Sequence, residues 1–262
     1  MIETGPERAG RAKGRPLTAH ELLRIWERAV LLHPVDSALH ILAMAGPPLG
    51  ADALALMPVG QRDSELLDIR RATIGDRLEA RDQCPACGFE VELILSCAEL
   101  TSSSRPVPLS WRMQAGGHDL IVRPLNSLDL AAAASATDEE VGRRVLLGRA
   151  IVAASLPDRH LPDDVAPTPD QLPAPVESAV VASLSEHDPL AEVLLEVQCP
   201  ACAMTWSNVL DVPSFVTAEL AARGRRLLAD VDTLARAYGW SESEILGLTD
   251  DRRAAYVALA TT

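Results

Sequence analysis

Four of the five cysteines in this 262-residue chain stand in two identical motifs, Cys84-Pro-Ala-Cys87 and Cys199-Pro-Ala-Cys202. A Cys-x-x-Cys turn holds two thiolates on the same side of a tight loop, so two such turns supply four sulfur ligands. Zinc prefers four soft ligands in a closed tetrahedral site. The sequence therefore predicts one structural zinc ion, bound by Cys84, Cys87, Cys199 and Cys202.

The two motifs are separated by 111 residues (88–198), far more than in a compact zinc finger. A single site therefore requires a large insertion between the turns, or two subdomains that meet at the metal. The metal would then join the N-terminal helical part of the chain to its C-terminal part. Gly88 after the first motif suits the left-handed conformation that such turns often need, whereas Ala203 stands at the equivalent position of the second. A left-handed alanine costs on the order of 1 kcal/mol, which metal binding can offset.

Two other interpretations of the cysteines stay open at this point. The motifs could be two independent redox dithiols, but such a dithiol is expected at a strand-to-helix junction of a βαβ unit, and no such unit is visible. They could also be degenerate sites that have lost their metal. Catalytic zinc is disfavoured, because four thiolates leave no open coordination position for water.

Composition and charge narrow the class of protein. The net charge is −13, and a negatively charged body repels phosphate backbones, so we expect no nucleic-acid partner. No run of eighteen apolar residues predicts a membrane span, and the N-terminus lacks the hydrophobic region of a secretory signal. We therefore expect a protein of the reducing cytoplasm, where paired cysteines bind metal more often than they form disulfides. Aromatic residues make up only 3% of the chain, so the core must be mostly aliphatic.

Hydrophobic periodicity predicts an α+β fold that is mostly helical, with a small β-hairpin, zinc-ribbon-like module joined by the two distant cysteine motifs. Helices are predicted at about 17–32, 35–45, 62–78, 127–134, 137–155, 176–186, 213–237 and 250–260. Strands are predicted at about 89–95, 192–197 and 204–212. A β-hairpin is predicted where Leu109, Trp111 and Met113 alternate with polar residues before Leu120 and Val122.

These elements divide the chain into seven segments. They are a flexible basic arm (1–16), an N-terminal helical region (17–80), the first cysteine motif with the β-hairpin (81–125), a helical region (126–155), a proline-rich loop (156–175), a short helix with the second cysteine motif (176–212) and a C-terminal helical region (213–262). Capping boxes that begin at Thr18, Thr137 and Ser241 mark three of the helix starts.

No other group of residues has a pattern that supports catalysis. Cys97 stands alone, and we predict a buried, small apolar role for it. The six histidines are scattered, and none forms a recognised ligand or catalytic motif with a neighbour. We therefore predict that the protein is not an enzyme and has no catalytic residue.

Several segments of the chain together carry a family resemblance. They are 17–26 (LTAHELLRIW), 70–80 (RRATIGDRLEA) leading into the first cysteine motif, 126–130 (NSLDL), 188–192 (DPLAE) leading to the second motif, and 237–246 (AYGWSESEIL). In these segments the chain resembles baseplate-associated proteins of contractile phage tails and related contractile injection systems, of the group likened to phage baseplate hub assembly proteins. It departs from that pattern at Ala203, where glycine is usual, and in the long proline-rich loop.

The resemblance implies a part in building or completing a baseplate, with baseplate or tail proteins as partners, either in the cytoplasm or within a phage tail-like particle. It adds no catalytic residue, and the four cysteines are the only site residues that match. Two alternatives come from other classes of function: a zinc-ribbon regulatory or nucleic-acid-binding module, and a thiol oxidoreductase. The sequence makes no prediction of the oligomeric state.

Overall fold

A computed structural model of the protein describes residues 14–102, 105–155 and 172–261. Helices and small antiparallel sheets are mixed in it, which confirms the predicted fold class at this level. The described helices are α1 (Ala19–Arg28, followed by a 3₁₀ turn, Ala29–Leu31), α2 (Pro34–Ala45), α3 (Ala51–Ala55), α4 (Val59–Ile74), α5 (Cys97–Ser102), α6 (Ser127–Ala134), α7 (Glu139–Ala150), α8 (Ala174–His187), α9 (Val212–Tyr238), α10 (Glu242–Leu246) and α11 (Asp250–Ala260).

The described strands form three small antiparallel sheets. The strands are β1 (Arg77–Gln83), β2 (Glu90–Ser96), β3 (Trp111–Ala115), β4 (His118–Val122), β5 (Ile151–Ser155), β6 (Leu194–Gln198) and β7 (Thr205–Val209). Strands β1 and β2 form a first hairpin, β6 and β7 form a second, and β3-β4-β5 form a sheet of three strands. The predicted hairpin of β3 and β4 is confirmed, and Trp111 pairs with Val122 in it.

The main hydrophobic core lies between helices from the two ends of the chain. Ile25 of α1, Ile41 of α2, Leu66 of α4, Leu220 of α9 and Ile245 of α10 are completely buried in it. The N-terminal and C-terminal helical regions are therefore joined by apolar burial, and the predicted metal ion would be an additional link between them. A second, smaller core packs α7 and α8 against the three-stranded sheet, around Leu120, Leu147 and Val176.

Both hairpins are anchored at their base to α4. The Arg70 guanidinium is almost completely buried, donates two hydrogen bonds of 2.8 Å to the Glu219 carboxylate of α9 and donates a third to the carbonyl oxygen of Arg77, the first residue of β1. At the other end of α4, the Gly60 N–H donates to Asp188, which is buried in the connection between α8 and β6. These contacts fix where each hairpin leaves the helical body.

The predicted helix 62–78 is wrong at its C-terminal end. Helix α4 ends at Ile74, because Gly75 adopts a φ of 120° that breaks the helix, and Leu78 is a buried residue of β1. Residues 77–83 are mostly good helix formers, so local propensity gave no sign of a strand. Pairing with β2 overrides that propensity, with Leu78 opposite Leu95.

The predicted helix 137–155 also needs correction at both ends. Its N-cap is Asp138, whose carboxylate accepts a hydrogen bond from the Val141 N–H, and the predicted capping box at Thr137 is not formed. Helix α7 ends at Ala150, and Ile151–Ser155 is strand β5, which pairs with β4. The capping boxes at Thr18 and Ser241 are confirmed.

Two predicted segments lie partly outside the described residues. Of the predicted arm, residues 14–16 are described, and there Arg15 is bound, because its guanidinium pairs with Glu21 and its N–H donates to the Ala45 carbonyl. Of the predicted proline-rich loop, 156–171 is outside the described residues. Its last two residues, Ala174 and Pro175, belong to the first turn of α8, where a proline is tolerated.

We predict that Gly60→Ala destabilises the protein by about 1–3 kcal/mol, because a Cβ atom there would lie 2.0 Å from Asp188 Oδ1 and 2.8 Å from the Ala191 nitrogen. Urea denaturation of both proteins measures the change. Gly142→Ala in α7 is the matched control, because its Cβ would meet no atom closer than 3.4 Å. Equal effects at the two positions would show that the contact of α4 with Asp188 is not tight.

Candidate metal centre

The two cysteine motifs form the turns of the first and second hairpins, and the turns share one hydrogen-bond pattern. In the first turn (84–88), the Cys84 N–H donates to the Phe89 carbonyl and the Gly88 N–H donates to the Cys84 carbonyl, both at 2.9 Å. In the second turn (199–203), the Cys199 N–H donates to the Met204 carbonyl at 2.8 Å, and the Ala203 N–H donates to the Cys199 carbonyl at 2.9 Å. We call these two turns the first and second knuckles.

The fifth residue of each knuckle adopts a left-handed conformation. Gly88 has a φ of 71° and Ala203 a φ of 59°, and Ala203 is the one residue other than glycine with a positive φ in the described ranges. The sequence expectation for Gly88 and Ala203 is therefore confirmed. Because the shared hydrogen bonds force this conformation, the alanine accepts a strain that a glycine would avoid.

The structure brings all four predicted site residues together. The sulfur atoms of Cys84 and Cys202 are 3.6 Å apart, as are those of Cys87 and Cys199, and all four sulfurs lie within 4.8 Å of one another. A tetrahedral ion with metal–sulfur bonds of about 2.3 Å requires sulfur atoms about 3.8 Å apart. The spacing and the donor set both fit one metal ion held by four thiolates.

Burial differs within each pair of cysteines. Cys84 and Cys199, the first ligand of each knuckle, are 2% and 1% exposed, whereas Cys87 and Cys202 are exposed. All four are free thiols, with no disulfide among them. One side of the cluster therefore faces the hairpins and the other faces solvent.

The electrostatics of the cluster lower the pKa of Cys84 and raise the pKa values of Cys87 and Cys202. Burial resists ionisation of Cys84, but hydrogen bonds from the backbone N–H groups of Cys87 and Ala86 and from neighbouring thiols outweigh it and lower its pKa to about 7. For Cys202, the Met204 N–H favours the thiolate, but the adjacent sulfurs of Cys87 and Cys84 outweigh that bond and raise the pKa to about 12. A cation among the sulfurs would favour the thiolate form of these cysteines.

A carboxylate beside the first knuckle connects the two hairpins. Asp82 of β1 accepts hydrogen bonds of 2.9 Å from Trp206 Nε1 and from Asn208 Nδ2, both on β7. Sequence reasoning missed this contact, because the partners lie more than 120 residues from Asp82 and no local pattern links them. The alternation of Trp206 and Asn208 on one face of a strand was the only available signal.

Cys97 is not part of the metal cluster. It is 1% exposed, as predicted for a small buried residue, and its sulfur lies 3.9 Å from Arg70 Nη1. Burial raises the pKa of the Cys97 thiol. It therefore offers a matched control for substitutions of the four clustered cysteines.

Comparisons with protein-family models, with curated proteins and with solved structures gave no match. No helix in the described ranges is long and apolar enough to cross a lipid bilayer. The site is therefore interpreted from its own geometry.

We predict opposite effects of exchanging the fifth residue of each knuckle. Ala203→Gly should raise the unfolding free energy by about 0.5–1 kcal/mol, because it removes the left-handed strain, and Gly88→Ala should lower it by about 1 kcal/mol. Denaturant unfolding of the two variants, with the same metal loading, measures both changes. Changes of the same sign in the unfolding free energy would mean that the left-handed conformation is not required in both knuckles.

Proposed function

We propose that Cys84, Cys87, Cys199 and Cys202 bind one structural zinc ion, and that the chain is a non-enzymatic assembly factor or minor structural component of a contractile tail or injection-system baseplate. The observation that carries the metal proposal is the convergence of four sulfurs within 4.8 Å. A tetrahedral set of four thiolates is typical of zinc or of iron, and zinc is the common choice at paired hairpin turns. The two hairpins with facing knuckles would then form a zinc ribbon.

A structural role for the metal follows from the ligand count. Four protein sulfurs complete the tetrahedral shell of zinc and leave no position for water or substrate. Among the described residues, no other cluster of histidine, cysteine, aspartate or glutamate has the spacing of a metal site. The proposed zinc therefore stabilises the ends of the hairpins and performs no chemistry.

Surface chemistry supports a protein partner. The hairpins and their flanks (76–99 and 190–211) contain nine acidic residues against two arginines, a net charge of −7. They also expose large apolar side chains at Phe89, Ile94, Leu194, Met204 and Val209. An acidic surface with exposed apolar groups suits contact with a protein and repels nucleic acid. The resemblance in sequence to baseplate-associated proteins supplies the class of partner.

The two alternative functions have less support. Each cysteine motif lies in a β-hairpin turn, whereas the cysteines of a thiol oxidoreductase are expected at a strand-to-helix junction. A regulatory module that binds nucleic acid needs a basic face, and both arginines of the hairpins are paired with glutamates, Arg77 with Glu79 and Arg81 with Glu90. No specific observation favours either alternative over the assembly role.

The metal proposal predicts one equivalent of zinc per chain in the purified protein, measured together with iron by elemental analysis. A strong chelator should release the zinc and destabilise the protein by about 3 kcal/mol, a fall in Tm of about 6–12 °C for a chain of this size. Cys199→Ser should abolish stoichiometric zinc, and Cys97→Ala should retain it. A metal-free chain with an unchanged melting curve, or iron in place of zinc, would overturn the proposal.

The assembly proposal predicts that the tagged chain co-purifies with baseplate proteins encoded near its own gene when they are produced together. Leu194→Asp combined with Val209→Asp should abolish this association, because both side chains are exposed on the second hairpin. Leu259→Asp in α11 is the matched control, since Leu259 is exposed far from the hairpins in sequence. Absence of any baseplate component from the purified material, with the protein folded and metal-loaded, would refute the assembly role.

A further inference from the structure

Asp82 is placed between the two hairpins, close to the first knuckle and two residues before Cys84. Its Oδ2 atom accepts hydrogen bonds from Trp206 Nε1 and Asn208 Nδ2 of the second hairpin, both at 2.9 Å. Its Oδ1 atom accepts a hydrogen bond of 2.8 Å from the Gln83 N–H, which holds the carboxylate in place. Apart from the sulfur contacts, the bonds from Trp206 and Asn208 are the hydrogen bonds that join the two hairpins within the described residues.

The hydrogen bond between Asp82 and Trp206 lies at the same distance from the knuckle in each hairpin. Trp206 pairs across its hairpin with Val197, which stands two residues before Cys199, just as Asp82 stands two residues before Cys84. The contact therefore connects equivalent strand positions of the two hairpins, next to the two knuckles. A link at this level fixes the separation of the cysteine pairs more closely than a link at the base would.

Apolar packing does little to hold the hairpins together near the knuckles. Val197 is the one buried residue of β6 and β7, and Leu195 and Trp206 are only half-buried. A cavity of about 470 Å³ opens between the hairpins, lined by residues that include Asp82, Leu93 and Asn208. Hydrogen bonds to one carboxylate therefore count for more here than they would in a packed core.

We propose that Asp82 is a positioning residue for the metal centre: it holds the two hairpins together before the metal binds, so that the four thiols are already close. This inference rests on the proposed binding of metal by the cysteines. Asp82 does not contact the sulfurs in the described structure and acts through Trp206 and Asn208. Preorganisation of ligands raises metal affinity, because less conformational freedom is lost when the metal binds.

The test measures zinc affinity by competition with a chromophoric chelator, using the full-length protein and zinc alone as the probe. Asp82→Ala should lower the affinity by about 10-fold, because more conformational freedom is then lost when the metal binds. Asp82→Asn keeps the shape and one acceptor oxygen, so its loss should be smaller. Glu79→Ala is the matched control, since Glu79 is a 70% exposed carboxylate of the same strand, and it should change the affinity less than 2-fold.

Two further measurements separate positioning from general stability. Asn208→Ala and the double variant with Asp82→Ala complete a double-mutant cycle, in which the losses of zinc affinity should be clearly less than additive. Hydrogen exchange of β7 in the metal-free protein should be slower in the wild type than in Asp82→Ala, whereas the two metal-loaded proteins should exchange alike. Circular dichroism checks that each metal-free variant keeps its helices, and Asp82→Asn replaces Asp82→Ala if the latter does not fold.

The outcomes distinguish this inference from the proposed function. Equal zinc affinity in wild type and Asp82→Ala, or an equal loss in Glu79→Ala, overturns the role of Asp82 and leaves the zinc site intact. Additive losses of zinc affinity in the double-mutant cycle overturn it as well, because they would show that Asp82 and Asn208 act independently. A wild-type chain that binds no zinc overturns both proposals together.

Discussion

The packing of α4 against α9 is the constraint on which the metal centre depends. Strand β1 begins three residues after α4 ends, and α9 begins three residues after β7 ends, so the relative position of these helices sets the base of both hairpins. Buried aliphatic side chains fix that position, and the ion pair of the buried Arg70 with the partly exposed Glu219 fixes it further at the start of β1. Loss of Glu219 would leave the buried Arg70 charge without its carboxylate, which is costly. The cysteines converge because the helices beneath them are already in place.

This arrangement leaves the proposed metal a limited structural role. The helical regions at the two ends of the chain share one core, so most of the folding free energy comes from burial that needs no metal. The ends of the hairpins are different, because they are exposed and contain two thiols, Cys87 and Cys202, whose pKa values are raised. A cation among the sulfurs would favour their thiolate form and close the hairpin ends. Removal of the metal should therefore act locally, as expected for a part of the structure with few buried contacts.

Much of this structure could be predicted from the sequence, wherever the signal is local. The convergence of the four cysteines could be predicted because two Cys-x-x-Cys motifs commonly bind one metal ion together. The caps at Thr18 and Ser241 could be predicted because they depend on short-range hydrogen bonds. Strand β1 could not be predicted, because its residues favour helix and only pairing with β2 makes it a strand. The anchor between Arg70 and Glu219 joins residues 149 positions apart, and no pattern along the chain links them. Contacts of this kind depend on the folded core and not on local propensity.

The exposure of the second hairpin explains why a metal is useful at this point of the fold. An isolated two-stranded hairpin is marginally stable in water, and β6 and β7 bury only Val197. A larger apolar core could hold such a hairpin, but it would cover the side chains of Leu194 and Val209, which now face solvent. Four bonds from the sulfurs to the proposed metal would hold the hairpin at its tip and leave those side chains exposed. For the assembly role proposed above, that combination would provide a rigid, acidic and partly apolar surface, and rigidity reduces the entropy lost when a partner binds.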